Sequence, residues 1–225
     1  MTTPEERVTI TVPERGEVSG IYARPAGSDA TLVVAHGAGA GMDHPFMVGF
    51  TRAANDLGVA TLRFNFLYME AGKRMPDRAP VAVETWRAAF DAAQARAGKG
   101  EPVWAGGKSF GGRMASMAVA EGMPADGLIF LGYPLHPPGK PDRVRAEHLA
   151  SIVVPMLFLQ GTRDPFASAD VLQPILASLG DRATLHPVAD GGHSFEVPGT
   201  KRDPRQAAAG LAPVAVDFIR AHRGA

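Results

Sequence analysis

The chain has 225 residues, of which 45% are hydrophobic, and its 23 basic and 23 acidic side chains leave no net charge. This size and composition predict one compact domain over residues 1–225, and a neutral chain offers no electrostatic attraction to nucleic acid or to an anionic membrane. Cysteine is absent from the sequence, which excludes disulfides, thiolate metal sites and a cysteine nucleophile.

The sequence also lacks the apolar segments that direct a chain into or across a membrane. Its first residues are polar and acidic, whereas a secretory signal has a basic start and an apolar stretch. No run approaches the length of about 18 apolar residues that a membrane-spanning helix requires. We therefore expect a cytoplasmic protein that does not enter a membrane.

The first predicted elements form an antiparallel hairpin. Hydrophobic residues alternate over residues 8–12 and 18–23, and residues 13–16 between them contain the proline and glycine that are typical of a turn.

Buried strands and amphipathic helices then alternate along the chain. Short, continuous apolar runs predict parallel strands, which span residues 31–35, 60–64, 102–105, 128–131, 156–159 and 183–188. Apolar residues at helical spacing predict helices over residues 45–57, 81–97, 171–179 and 211–218. A further helix is predicted to begin at Gly112. This alternation predicts a mainly parallel sheet with helices on both faces.

A glycine-rich turn carries Ser109 between a predicted strand and a predicted helix. Gly107 and Gly111 stand two positions before and two after this serine, which is the G-x-S-x-G pattern of a nucleophile elbow. Glycines are needed there because a sharp turn leaves no room for side chains beside the nucleophile. The N–H groups of the following helix would point at an oxyanion formed next to Ser109.

The same residues resemble the end of a phosphate-binding loop. That loop requires glycine at position 102, where the chain has Pro102, so the pattern disfavours a nucleotide site. A single G-x-S-x-G can arise by chance, and the assignment of Ser109 therefore depends on partners elsewhere in the sequence.

Two further loops supply partners for Ser109. Asp164 and His193 each follow a predicted buried strand, and open α/β sheets bind ligands beyond the carboxyl ends of their strands. His193 would accept the proton of Ser109, while Asp164 would orient the imidazole and compensate its positive charge. The sequence predicts a Ser-His-Asp triad.

Simpler interpretations of these two residues exist. Asp164 followed by Pro165 is a common start of a helix, and a lone loop histidine needs no function. Asp190, which precedes His193 on the same loop, is an alternative acid.

A second glycine-rich turn, at residues 36–41, predicts an oxyanion hole. The backbone N–H of Ala38, or in second place that of Gly37, would act together with the N–H of Phe110. The seven histidines show no metal-ligand spacing, so we expect neither a metal nor a cofactor.

Side chains next to these loops are candidates for a substrate pocket. They are apolar or aromatic, and they comprise Met42, Phe66, Tyr68, Tyr133 and Phe195. Packing in the core is the alternative role for each of them. Four cationic residues could attract an anionic group or simply lie on the solvated surface, and they are Lys73, Arg74, Lys108 and Arg113.

These motifs together resemble the α/β-hydrolase superfamily, and more narrowly its small dienelactone-hydrolase-like branch. The resemblance covers nearly the whole chain and rests on four motifs in the family's order, at residues 36–39, 107–112, 161–164 and 191–193. It implies a three-layer α/β-hydrolase fold with a mostly parallel eight-stranded sheet, whose second strand is antiparallel.

The resemblance also implies Ser109 as nucleophile, Asp164 as acid and His193 as base. Dienelactone hydrolases proper have cysteine at the position of Ser109, so their substrate is not carried over to this chain. Many members of the superfamily insert a lid where this chain has only residues 132–155, which predicts no sizeable lid, a short helix around residues 144–152 and an open, shallow site.

We therefore expect a serine hydrolase that cleaves a small ester, thioester or related acyl substrate through an acyl-enzyme. Two alternatives remain open: acyl transfer or other chemistry at the same triad, and a catalytically silent protein of this fold that acts by binding. The sequence is compatible with a monomer or a homodimer.

Overall fold

One mixed sheet organises the part of the chain that the structure describes. The structure is a computed structural model that describes residues 3–200 and 203–223. Within these ranges eight strands pair in the order β1-β2-β4-β3-β5-β6-β7-β8. The strands are β1 (Glu5–Val12), β2 (Gly16–Ala23), β3 (Thr31–Ala35), β4 (Ala60–Phe64), β5 (Val103–Lys108), β6 (Leu128–Leu131), β7 (Met156–Gly161) and β8 (Ala183–Val188).

Helices lie between strands of this sheet and after its last strand, β8. They are α1 (Pro45–Asp56), α2 (Leu67–Glu70), α3 (Ala79–Gln94), α4 (Phe110–Ala120), α5 (Ala169–Leu179), α6 (Pro204–Ala209) and α7 (Ala212–Ala221). Two short 3-10 helices, Glu147–Ser151 and Gly180–Arg182, precede β7 and β8. The predicted domain over residues 1–225 includes residues 1–2, 201–202 and 224–225, which lie outside the described residues.

The direction of the strands confirms the predicted topology. β2 pairs antiparallel with both β1 and β4, whereas every other pair of neighbouring strands from β4 to β8 is parallel. The hairpin of β1 and β2 therefore adds an antiparallel edge to a parallel sheet.

The sheet separates two hydrophobic cores because neighbouring residues of a strand point to opposite faces. On β3, Val33 packs in the core that contains Trp86 of α3, while Leu32 and Val34 pack in the core that contains Phe50 of α1. All residues of β3 to β7 are buried, which explains their mostly apolar sequences.

The edge strand β8 differs from this prediction. Its residues are half-buried or exposed, although its apolar sequence predicts a fully buried strand. The reason is its position, since β8 has a neighbour on one side only and lies at the end of the sheet.

Element boundaries differ from the prediction mainly near the glycines. β5 continues to Lys108 instead of ending at residue 105, and α4 begins at Phe110 instead of Gly112. Glycine has no side chain that contributes to an apolar pattern, so the pattern ends before the strand does. The short helices α2 and α6 were not predicted.

The connection between β6 and β7 contains no lid domain. Its residues 132–155 all fall within the described part of the chain, and their regular structure is the 3-10 helix Glu147–Ser151, where a short helix was predicted. No helix within the described ranges combines the length and the apolar character needed to cross a membrane.

Candidate active site

Ser109 lies on the sharp turn between β5 and α4. Its backbone has φ 49° and ψ −114°, a conformation that residues other than glycine rarely adopt. A Cβ atom at Gly107 would lie 2.5 Å from the carbonyl oxygen of Ala35, and one at Gly111 would lie 2.5 Å from the same oxygen. The end of β3 therefore excludes side chains at both flanking positions, as predicted for a nucleophile elbow.

Ser109, His193 and Asp164 form a continuous chain of hydrogen bonds. The Ser109 Oγ atom lies 2.8 Å from His193 Nε2, and His193 Nδ1 lies 2.7 Å from Asp164 Oδ2. A carboxylate accepts hydrogen bonds only, so Nδ1 carries the proton and Nε2 is free to accept the one from the serine. The structure thus brings together the three residues that the sequence predicted.

The Asp164 carboxylate is held from several directions. Its side chain is fully buried, and its Oδ1 atom accepts a hydrogen bond of 2.8 Å from the backbone N–H of Phe166. Its Oδ2 atom also accepts one from the Gln160 side chain, whose own Oε1 atom accepts the backbone N–H of Tyr133 at 2.8 Å. These contacts fix the carboxylate in the orientation that faces His193.

Gln160 is a site residue that the sequence analysis did not identify. It is the only polar side chain in the buried strand β7, all of whose residues the structure describes, and it stands next to the carboxyl end. The isolated amide in an apolar strand could have identified Gln160 from the sequence, because a buried polar group needs a hydrogen-bond partner.

The alternative interpretations of the acid do not match the geometry. Asp190 is exposed, and its Oδ1 atom pairs with Arg163 Nη2 at 2.7 Å. Helix α5 begins at Ala169 with Ser168 as its N-cap, so Asp164 does not start that helix.

Phe110 and Ala38, whose backbone N–H groups are the predicted oxyanion donors, both line the cavity that contains Ser109. The N–H of Phe110 is the first of α4 and has no acceptor within the helix. Ala38 is exposed at the cavity, whereas Gly37 is buried. This difference in exposure favours Ala38 over Gly37 as the second donor.

The carbonyl of Gly37 is anchored in the core. Its oxygen accepts hydrogen bonds from His36 Nδ1 at 2.8 Å and from the Tyr68 hydroxyl at 3.4 Å. In a trans peptide the carbonyl and the following N–H point in opposite directions, so this anchoring turns the N–H of Ala38 away from the core.

His36 holds this turn as a neutral imidazole. Its Nε2 atom accepts the backbone N–H of Phe66 at 3.2 Å, which leaves the proton on Nδ1 for Gly37. Burial lowers the pKa of His36 to about 4.

A cavity of about 1080 Å³ opens beside Ser109. Its apolar wall comes largely from residues that the sequence did not predict to line the site, and it includes Phe46, Met47, Met75, Pro134, Pro138 and Phe166. Without a lid the sequence predicted a shallow site, but residues 75–79 and 134–138 contribute walls that give the site a substantial volume.

The predicted pocket residues require correction. Phe195 lines the cavity, but Met42, Phe66, Tyr68 and Tyr133 are buried in the protein and do not line it. They follow strand ends in the sequence, yet their side chains turn back into the core: Phe66 stacks on Tyr68, and Tyr133 packs against the rings of Phe130 and Phe158.

The four predicted cationic residues divide into two groups. Lys108 and Arg113 line the cavity, whereas Lys73 and Arg74 are exposed and do not. Lys108 is the last residue of β5 and is almost fully buried, and this burial lowers its pKa to about 8. The negative charges of Asp164 and Glu196 oppose the shift.

Comparison with known proteins agrees with this architecture. Residues 28–220 match the family model of the alpha/beta hydrolase domain. A dienelactone hydrolase from Anabaena variabilis is similar in structure, with a TM-score of 0.76, 21% identity, and coverage of 98% of this chain and 99% of that one.

Two further solved structures share the fold. An α/β serine hydrolase without lid from Xanthomonas campestris has a TM-score of 0.72 at 20% identity, with coverage of 100% of this chain and 98% of that one. A dienelactone hydrolase-like promiscuous phosphotriesterase from metagenomic libraries has a TM-score of 0.73 at 18% identity, with both chains covered completely.

The close approach at the elbow makes Gly111 intolerant of a side chain. We expect Gly111→Ala to lower the free energy of unfolding by about 1–3 kcal/mol, because the added Cβ would overlap the carbonyl oxygens of Ala35 and His36. Urea unfolding measures the change. Gly210→Ala is the matched control, since its Cβ would meet no atom closer than 3.6 Å. Equal stability of both variants would contradict the crowding argument.

Lys108 is expected to make stability depend on pH. A lowered pKa means that burial penalises the charged amine fully below about pH 8, and that the penalty disappears as pH rises to the ordinary value of 10.5. Lys108→Met should therefore stabilise the fold most near pH 7, with a gain that shrinks between pH 8 and 10.5. Unfolding at several pH values tests this, with the exposed Lys99→Met as control; a gain that is independent of pH would argue against it.

Proposed function

The chain belongs to the alpha/beta hydrolase family, and from this we propose that it is a serine hydrolase that cleaves a small ester, thioester or related acyl compound. The observation that carries the proposal is the pair of short contacts joining Ser109 to His193, at 2.8 Å, and His193 to Asp164, at 2.7 Å. Nucleophile, base and acid stand at the hydrogen-bonding distances that this chemistry requires.

In the first step, Ser109 Oγ attacks the carbonyl carbon of the substrate. A serine hydroxyl is a weak nucleophile until a base removes its proton, and His193 Nε2 accepts that proton as the new bond forms. The imidazole becomes positively charged, and the buried Asp164 carboxylate stabilises this charge without taking up a proton itself.

The tetrahedral intermediate carries a negative oxygen. We assign its stabilisation to the backbone N–H groups of Phe110 and Ala38, with the N-terminus of α4 adding a favourable dipole. One donor of this kind typically contributes about 2.7–4 kcal/mol to transition-state stabilisation. In this scheme His36 and Tyr68 are positioning residues, because they hold the Gly37 carbonyl on the opposite side of the peptide.

The same groups then form and hydrolyse the acyl-enzyme. His193 first returns its proton to the leaving group, whose bond to the carbonyl carbon breaks, and the acyl-enzyme remains. His193 next accepts a proton from water as the water oxygen bonds to the acyl carbon, and it gives this proton to Ser109 Oγ when the serine–carbon bond breaks and the acid product leaves. The His193 side chain is 19% exposed, so water can approach it. Each step uses side chains and backbone groups of this chain.

The nucleophile can be tested by covalent labelling. We expect a fluorophosphonate probe to label the wild-type protein at Ser109, and Ser109→Ala to abolish labelling without unfolding the protein. Ser194→Ala, which removes an exposed hydroxyl next to the base, is the matched control and should label normally. Intact mass and peptide mapping identify the site. A folded wild-type protein that resists the probe, or a Ser109→Ala variant that labels equally well, would refute the assignment and favour a binding function.

The acid can be tested by comparing the two candidate aspartates, Asp164 and Asp190. Asp164→Asn should lower kcat on p-nitrophenyl acetate by roughly three to four orders of magnitude, because the imidazole loses its orienting carboxylate. Asp190→Asn removes a carboxylate that pairs with Arg163 and should remain close to the wild type. A greater loss from Asp190→Asn would overturn the assignment of the acid.

A further inference from the structure

Three arginines in the cavity wall, Arg78, Arg113 and Arg145, have no carboxylate partner within 4.0 Å among the described residues. Arg113 lies in the first turns of α4, four residues after Ser109, and Arg145 lies just before the 3-10 helix Glu147–Ser151. The ion pairs found within 4.0 Å in the described ranges involve neither guanidinium.

The environment of Arg113 leaves its charge poorly compensated. The residue is half-buried, and its Nε atom is buried without a hydrogen-bond partner in the described structure. Burial lowers the pKa of Arg113 and the positive charge of Arg145 adds to this effect, while Tyr133 and Glu147 act against it. Because a guanidinium stays protonated in proteins, it remains a cation that lacks a close anion.

The buried polar groups on the inner side of α4 provide no such anion. The Ser116 hydroxyl bonds to His148 Nε2 at 2.8 Å and to the Tyr133 hydroxyl at 3.2 Å. Burial raises the pKa of Tyr133 to about 12, and burial together with the charge of Arg113 lowers the pKa of His148 to about 4. All three groups are therefore neutral near pH 7.

The carboxylates of the cavity are engaged elsewhere. Asp77 accepts the backbone N–H of Tyr68 at 3.0 Å, and Glu196 accepts that of Ser194 at 2.8 Å. The cations that line the described cavity outnumber these two carboxylates, and they are Arg78, Lys108, Arg113 and Arg145. Four cationic side chains and two carboxylates therefore line the described cavity of a chain that has no net charge.

We propose that Arg113 and Arg145 bind an oxyanion group of the substrate, a carboxylate or a phosphate, while Ser109 attacks an ester or thioester carbonyl in the same molecule. This inference rests on the proposed function. Guanidinium groups suit the role because they bind carboxylate and phosphate oxygens in pairs. The anionic group is unchanged by the reaction, in which the serine–carbon bond forms and the leaving group departs with the proton from His193.

The spacing along α4 limits the size of the substrate. Arg113 stands three positions after Phe110 on α4, which corresponds to a rise of roughly 5 Å along the helix axis. The proposed oxyanion donor and the anion-binding arginine therefore lie close together, and we expect a short spacer between the reactive carbonyl and the anionic group.

Substrates matched in length test this proposal. We expect the wild-type protein to cleave p-nitrophenyl hemiglutarate with a kcat/KM roughly 10- to 100-fold higher than that for p-nitrophenyl pentanoate, which lacks the carboxylate. Arg113→Gln should remove this preference mainly through KM, and Arg113→Lys should restore part of it. Arg74→Gln, which removes a positive charge outside the cavity, should keep it. Comparing kcat/KM for 4-acetoxybenzoate and phenyl acetate tests whether a carboxylate on the leaving group is also preferred, because only the first ester carries one.

A binding measurement makes the test independent of turnover. Glutarate or inorganic phosphate should raise the Tm of the wild-type protein and of Arg74→Gln but not of Arg113→Gln, and comparing the two ligands distinguishes carboxylate from phosphate.

The inference fails if neither ligand raises Tm and no anionic ester is preferred, or if Arg113→Gln leaves these effects intact. Hydrolysis of the pentanoate that depends on Ser109 would then still support the proposed function, whereas hydrolysis unaffected by Ser109→Ala would refute that function instead.

Discussion

The close contact between the end of β3 and the start of α4 is the constraint on which the candidate site depends. The carbonyl oxygens of Ala35 and His36 occupy the space that a side chain at Gly111 would need, and the Gly111 carbonyl accepts the Trp86 Nε1 proton at 3.0 Å. The start of α4 is thereby held against α3 and lies directly on the end of β3. Its approach forces Ser109 into a positive φ, exposes the serine hydroxyl, and brings the first N–H of the helix beside it.

Asp164 and Arg113, two charged side chains near this turn, differ in how their charges are compensated. The buried Asp164 carboxylate has partners on both oxygens, from Phe166, Gln160 and His193, so its charge stabilises a defined geometry. Arg113 is the opposite case, because its half-buried guanidinium has no such partners in the described structure. The first arrangement fits a group that orients a base, and the second fits a group that receives a ligand.

The sequence predicted the strand and helix pattern well but the pocket poorly. Periodicity reports which side of an element is buried, and the strands β3 to β7 are apolar because both of their faces are covered. The same information cannot tell whether a residue after a strand end points outward or back into the core. Phe66, Tyr68 and Tyr133 all turn inward, where they pack with other aromatic rings or hold the Gly37 carbonyl.

The sequence by itself determined the order of the elements, the glycine-flanked Ser109, and the strand-end positions of Asp164 and His193. These features depend on local conformation and on the rule that parallel strands end at one edge of a sheet. Only the tertiary structure decided that Asp164 rather than Asp190 faces His193, that Gln160 supports it, and which side chains form the cavity. Each of these outcomes depends on distances between segments far apart in the chain, and neither periodicity nor motif spacing contains such distances.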